Sequence, residues 1–212
     1  MTTRLITPLG KSIAACMASA GFAFPTVAGI ASMKAPSAKA ASPTSASAKP
    51  SEIRLVDFTP KERRWVSVND GVMGGVSSGS LAVKNGVATF SGRVRLENNG
   101  GFASIRSSAN LPQLPEDSKS FSFRVRGDGS AYQFTVDTDA GWFWALVQPA
   151  KNKWSTMTVA FDDLVPVTRF GEPAERDAFD ASQPISAVGF LISNRKAEKF
   201  TLSIDWIAVN SE

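Results

Sequence analysis

The chain has 212 residues, 43% of them hydrophobic, which is enough for one domain with a full core and gives no sign of a second. Its formal charge of +4 arises at the front, where the first fifty residues hold five of the 23 cationic side chains and none of the 19 acidic ones; residues 51–212 carry 18 against 19. A balanced domain argues against a nucleic-acid partner, the lack of histidine excludes a histidine-based hydrolase triad, and the single Cys16 leaves the domain no disulfide and no thiol nucleophile.

Residues 1–40 have the three parts of a signal or targeting peptide. Arg4 and Lys11 precede an uncharged stretch from Ser12 to Met33, and small residues at Ala38 and Ala40 mark a cleavage point after Ala40. The expected destination is export, periplasmic or extracellular. An uncleaved anchor and import into a mitochondrion or other organelle are the alternatives. Residues 41–52 are dominated by Ala, Ser, Pro, Thr and Lys, a composition that cannot bury enough apolar surface to fold, and are expected to be a disordered linker.

From residue 53 to 210 the pattern is that of short strands. Ile53 to Phe58 and Trp65 to Val68 open the series. Leu81 to Lys84 and Val87 to Phe90 flank Asn85-Gly86, a two-residue turn that favours a hairpin. Gly92 to Leu96 and Phe102 to Ser107 are expected to pair across Asn98-Asn99-Gly100-Gly101. Phe121, Phe123 and Val125 alternate with polar residues, and after Gly127-Asp128-Gly129-Ser130 the alternation resumes at Tyr132, Phe134 and Val136, which predicts a second antiparallel pair. Trp142 to Val147 is apolar at every position, so one of its faces must meet something other than water; Trp154 to Phe161 is similar in part. Asp162 to Pro184 is charged and proline-bearing, a loop. Val188 to Ile192 and Phe200 to Trp206 close the domain. About ten short strands without an amphipathic helix predict an all-β fold, an antiparallel β-sandwich in a single domain.

Three groups of residues are candidates for a site. Between Trp65 and Ser80, the run Asn69-Asp70-Gly71-Val72-Met73-Gly74-Gly75-Val76-Ser77 concentrates residues that tolerate positive φ, and a loop so poor in side chains lets a partner approach its backbone. Either it is a turn held by its own Asn and Asp, or it is a binding surface on which Met73 supplies an adaptable thioether. Trp142, Trp144 and Trp154 are either core or an exposed platform, since indole stacks equally on sugar rings and on protein anchors. Carboxylates at Asp137, Asp139, Asp162, Asp163, Glu172, Glu175, Asp177 and Asp180 lie near turns without the spacing of a catalytic pair, and are read as solvated. Asp57 and Asp205 are the residues a calcium ion would draw on, but their spacing is not that of a calcium loop, and no metal or cofactor is expected.

The Asn69–Ser77 run resembles the opening signature of the complex I intermediate-associated protein 30 family, N-D-x-x-M-G-G-x-S after a tryptophan. Phe90-Ser91-Gly92, Gly100-Gly101-Phe102-Ala103-Ser104, Arg126-Gly127-Asp128-Gly129 with Tyr132, and Trp154 come in the family's order, covering roughly Leu55 to Val209. The match departs at Thr168-Arg169-Phe170-Gly171-Glu172, where the family has a Phe-Arg-Gly-Arg type segment. The resemblance implies a galactose-binding-like jelly roll. It also implies a non-enzymatic, chaperone-like binding module that assists assembly of a respiratory membrane complex, with protein clients, respiratory-complex subunits among them. The partner-binding residues it points to are Asn69, Asp70, Gly71, Met73, Gly74, Gly75, Ser77 and Asp128. The alternative function is that of a lectin-like, carbohydrate-binding module of an exported protein, with glycan stacked on Trp142, Trp144 and Trp154. Membrane contact is expected only peripherally or through the leader.

Overall fold

The computed structural model describes residues 51–58, 65–107, 111–168 and 171–211. The proposed signal segment, nearly all of the linker, and Arg169 and Phe170 therefore lie outside the described residues. Glu52, placed at the end of the linker by composition, already pairs with Asn210.

Two six-stranded antiparallel sheets pack face to face. The strands are β1 (Glu52–Asp57), β2 (Trp65–Asn69), β3 (Ser78–Lys84), β4 (Val87–Arg93), β5 (Ala103–Ser107), β6 (Ser118–Arg126), β7 (Tyr132–Thr138), β8 (Gly141–Val147), β9 (Ser155–Ala160), β10 (Val165–Val167), β11 (Ile185–Ile192) and β12 (Lys199–Ser211). The first sheet runs β3-β4-β12-β6-β9, and the second β10-β8-β7-β11-β5-β2. The spine of the first sheet is β12, whose N-terminal half pairs with β4 and whose C-terminal half pairs with β1, while β6 lies along its other side. Its register shift at Asp205 separates the two halves. The antiparallel β-sandwich read from the sequence is the architecture observed. Among the described residues no helix is long and apolar enough to cross a membrane.

Inward alternation supplies the core. Phe121 and Phe123 of β6 face Phe134 of β7 at ring-centroid distances of 5.4 and 4.9 Å, and Phe190 of β11 lies 5.5 Å from Phe134. All four rings are fully buried. Offset and tilted aromatic packing of this kind adds about 0.5–1.5 kcal/mol per pair to the gain from burial alone.

The β3–β4 hairpin forms as its turn demands, with Asn85 at φ 52° and Gly86 at φ 77° and with Lys84 opposite Val87. Two expected pairings do not form. The Gly127–Ser130 turn leads from β6 in the first sheet to β7 in the second, so it is an arch over the core and not a hairpin. The Asn98–Gly101 turn likewise connects β4 of the first sheet to β5 of the second, and residues 94–96 are outside any strand. Alternation reports which side of a strand is buried, and that is the same whether two strands are neighbours in one sheet or face each other across the core. The loop expected from Asp162 to Pro184 contains the short β10, which pairs with β8.

Phe134→Ala should lower unfolding free energy by about 3–5 kcal/mol in urea titration, because a ring packed on three others leaves a cavity that cannot collapse. Val83→Ser, at a position 51% exposed, should leave the midpoint unchanged.

Candidate functional site

The glycine loop begins where β2 ends. Asp70–Met73 form one turn of 3-10 helix, closed by Gly74 at φ 86°, and the Gly75 N–H donates to the Asp70 carbonyl at 3.0 Å. The Asp70 carboxylate, only 1% exposed, points back beneath this turn. It accepts hydrogen bonds from the backbone N–H of Ser77 at 2.9 Å, Gly101 at 2.7 Å and Phe102 at 3.4 Å. A Cβ on Gly75 would stand 2.3 Å from Asp70 Cγ, and one on Gly100 would stand 2.5 Å from Asp70 Oδ2. Two of the signature's glycines are thus the space in which this carboxylate sits.

Neighbouring groups complete the fastening. Ser77 Oγ donates to the Arg95 carbonyl at 3.1 Å and accepts from the Arg95 N–H at 2.9 Å. Asn69 donates to the Gly79 carbonyl at 3.2 Å, and Asn98 to the Gly74 carbonyl at 3.1 Å. Burial pushes the Asp70 carboxyl up, but the hydrogen bonds from Ser77, Gly101 and Phe102 outweigh it and leave the group below its ordinary value. The side chains of Asn69, Asp70 and Ser77 are therefore engaged with the protein itself. Among the described residues the exposed positions of the loop are Gly71, Gly74 and Val76, the last at 48% exposure, although the Gly74 N–H already donates to the Gly71 carbonyl at 3.1 Å. The Met73 side chain lies outside the described residues.

Asp128 plays a matching part at the arch. Its carboxylate accepts from Ser130 N–H at 2.9 Å, Thr201 N–H at 2.7 Å and the Tyr132 hydroxyl at 3.1 Å. Burial, then the charge of Asp128, push the Tyr132 phenol up. The block Arg126-Gly127-Asp128-Gly129 with Tyr132 thus ties the β6–β7 arch to β12, and Asp128 is occupied internally.

The tryptophan strand presents the face that is left. In β8, Phe143 points into the core at 2% exposure, whereas Trp142 and Leu146, 38% and 67% exposed, point outward with the half-buried Trp144. The register sets Trp142 beside Asp137, Trp144 beside Thr135 and Leu146 beside Gln133 of β7. On the other side, Val165 of β10 lies beside Trp144 and is itself 46% exposed. The indole N–H of Trp144 is buried without a hydrogen-bond acceptor among the described residues. Farther across the face, Arg106 of β5 reaches Asp137 at 3.6 Å, spanning β11 where its residues are the small Ala187 and Gly189. Burial raises the Asp137 carboxyl against the pull of Arg106.

Trp154 belongs elsewhere: it precedes β9 in the first sheet, so the three tryptophans do not share one platform. Arg106, Leu146 and Val165 were not anticipated as site residues. The available signal was the unbroken apolar run of β8, whose outward Trp142 and Leu146 remain exposed among the described residues. Asp205 is paired with Arg124, and among the described residues no group of three or more Asp, Glu, Cys or His stands close enough to hold a metal ion.

These features define an all-β sandwich whose two family-signature carboxylates act as internal fasteners and whose second sheet has an open aromatic and aliphatic face. The chain belongs to the complex I intermediate-associated protein 30 (CIA30) family, which matches residues 56–204. Among curated proteins none matches it significantly. Among solved structures it is similar to the family 11 carbohydrate-binding module of the cellulosomal cellulase Lic26A-Cel5E of Clostridium thermocellum, with TM-score 0.57, 16% identity, and 76% of this chain and 95% of that chain covered. The family 11 module from Clostridium thermocellum in complex with a β-1,3-1,4-mixed-linked tetrasaccharide gives TM-score 0.53 at 19% identity, covering 74% and 94%. The agarase AgWH50C gives 0.54 at 11% identity, covering 76% of this chain and 24% of that one. At these identities the likeness establishes the sandwich fold.

Asp70→Asn should cost about 1–3 kcal/mol at neutral pH, because backbone N–H groups lose a charged acceptor in a buried site. A carboxyl lowered on folding contributes stability that is complete above its unfolded value and is lost as pH falls through the folded one. The gap between wild type and variant should therefore hold at neutral pH and close as pH drops below the ordinary carboxyl value of 3.8, in urea midpoints measured across that range.

Proposed function

We propose that this domain is a non-enzymatic binding module that holds protein clients during assembly of a respiratory membrane complex, using the outer face of the second sheet. The observation that carries the proposal is the outcrop of Trp142, Leu146 and Val165, exposed at 38%, 67% and 46% on a sheet whose other side is fully packed. Covering such surface gains about 25 cal/mol per Å², and exposed leucine and valine beside an indole offer no hydrogen bond to a sugar hydroxyl. Membership of the CIA30 family supports complex I subunits as the clients. The backbone at Gly71 and Gly74 is the second contact in this reading, where a built Cβ meets nothing within 4 Å. With an exported leader, the clients would be those parts of a membrane complex that face outward.

A second reading, a glycan-binding module, is favoured by one feature of the same face. Trp144 brings a buried N–H, without an acceptor among the described residues, next to Thr135, and the Asp137–Arg106 pair lies beyond it, so aromatic and polar groups adjoin as a sugar ring requires. The tetrasaccharide held by a module of the same fold supports this reading.

Affinity capture of the tagged full-length protein from gently solubilised membranes of its own cells separates the two. The first reading expects complex I subunits with wild type, at least tenfold less with Leu146→Ser plus Trp142→Ala, and unchanged thermal melting of the variant. Gly71→Arg should reduce recovery without altering the fold. Absence of any protein partner, together with glycan-array signals that survive Leu146→Ser and vanish with Trp142→Ala, would overturn it in favour of the second.

A further inference from the structure

The outer face of the first sheet carries a basic cluster that the balanced composition of the domain conceals. Arg124 and Arg126 point outward from β6, alternating with buried Phe123 and Val125. Their guanidinium carbons lie 5.0 and 5.2 Å from the ring centroid of the half-buried Trp154. On the neighbouring β12, Trp206 is the register partner of Arg124 and is covered in turn by Arg54 of β1, 3.6 Å from its ring centroid. The turn that leads to Trp154 is tied to the end of β6 by a hydrogen bond from Asn152 N–H to the Gly127 carbonyl at 2.9 Å, and it brings the exposed Lys151 and Lys153 to the same corner. Arg124 is paired with Asp205 and Arg54 with Glu52, whereas among the described residues Arg126, Lys151 and Lys153 form no ion pair, although Lys151 lines a cleft with Asp128 and Glu198.

A guanidinium laid on indole is restrained while its N–H edge stays free, so an arriving anion finds donors already ordered. Here the donors stand on the flat outside of a sheet, which fits a planar partner better than a threaded one. Arginine, lysine and tryptophan together are also the side chains that a bilayer interface favours, cations toward headgroup phosphates and indole at the boundary. We propose that this corner docks the domain peripherally on an anionic phospholipid surface. The contact is independent of the client face, which lies on the other sheet.

The test is co-sedimentation of the full-length protein with vesicles of phosphatidylcholine alone or mixed equally with phosphatidylglycerol. Wild type should bind the anionic vesicles preferentially. Arg124→Gln plus Arg126→Gln should weaken that binding about thirtyfold, from roughly fivefold per cation near the surface. Arg124→Lys plus Arg126→Lys should retain it, and Trp142→Ala should bind as wild type does. If the Gln pair fails to fold by circular dichroism, Lys151→Gln plus Lys153→Gln carries the same expectation at exposed positions outside any strand. Equal binding to neutral vesicles, or binding unchanged in the Gln variants, would assign the association to the apolar leader and overturn the proposal. So would soluble poly-glutamate that binds the protein as tightly as the vesicles do, which would mark the corner as a site for acidic polypeptide.

Discussion

The whole domain depends on closing one continuous layer of phenylalanine between two sheets. Phe121 and Phe123 come from one sheet and Phe134 and Phe190 from the other, each buried completely. With no disulfide available to the folded part, that layer must supply most of the favourable free energy of folding. It also dictates the connections. Strands adjacent in sequence, β6 and β7, are sent to opposite sheets so that their aromatic faces meet across the core.

Crossing between sheets creates exposed arches whose backbone donors need acceptors, and the family signature answers that need. Asp70 gathers N–H groups from the loop after β2 and from the loop before β5, while Asp128 gathers those of the β6–β7 arch and of β12. In both cases a carboxylate beside glycine replaces ordinary strand pairing. The residues that mark the family are thus chiefly those that hold the arches, and the surfaces available to partners lie beside them. On the second sheet this surface is aromatic and aliphatic with one spanning ion pair. On the first it is an arginine and tryptophan layer. A single sandwich therefore offers two chemically different faces, and a module placed between a client and a membrane would use both.

Much of this was legible in the sequence. Period-two alternation at Phe121–Val125 and Tyr132–Val136 determined that these segments were strands and which side chains they buried. Asn85-Gly86 determined the one hairpin with local turn chemistry strong enough to name it, because both positions require positive φ. The ordered signature blocks placed the chain in its family, and the unbroken apolar run of β8 marked a strand with apolar side chains on both faces.

Only the tertiary structure decided which strands are neighbours, because alternation carries no information about partner identity. It decided that Asp70, Ser77 and Asp128 turn inward, since the same Asn, Asp and Gly residues suit a self-fastened loop and an open one equally well. It separated Trp154 from Trp142 and Trp144 by assigning their strands to different sheets. It also brought Arg106 to Asp137 across β11, and Arg54, Arg124 and Arg126 onto two indoles. Those juxtapositions join residues from distant parts of the chain, and they arise from the order of strands in a sheet, which local sequence does not encode.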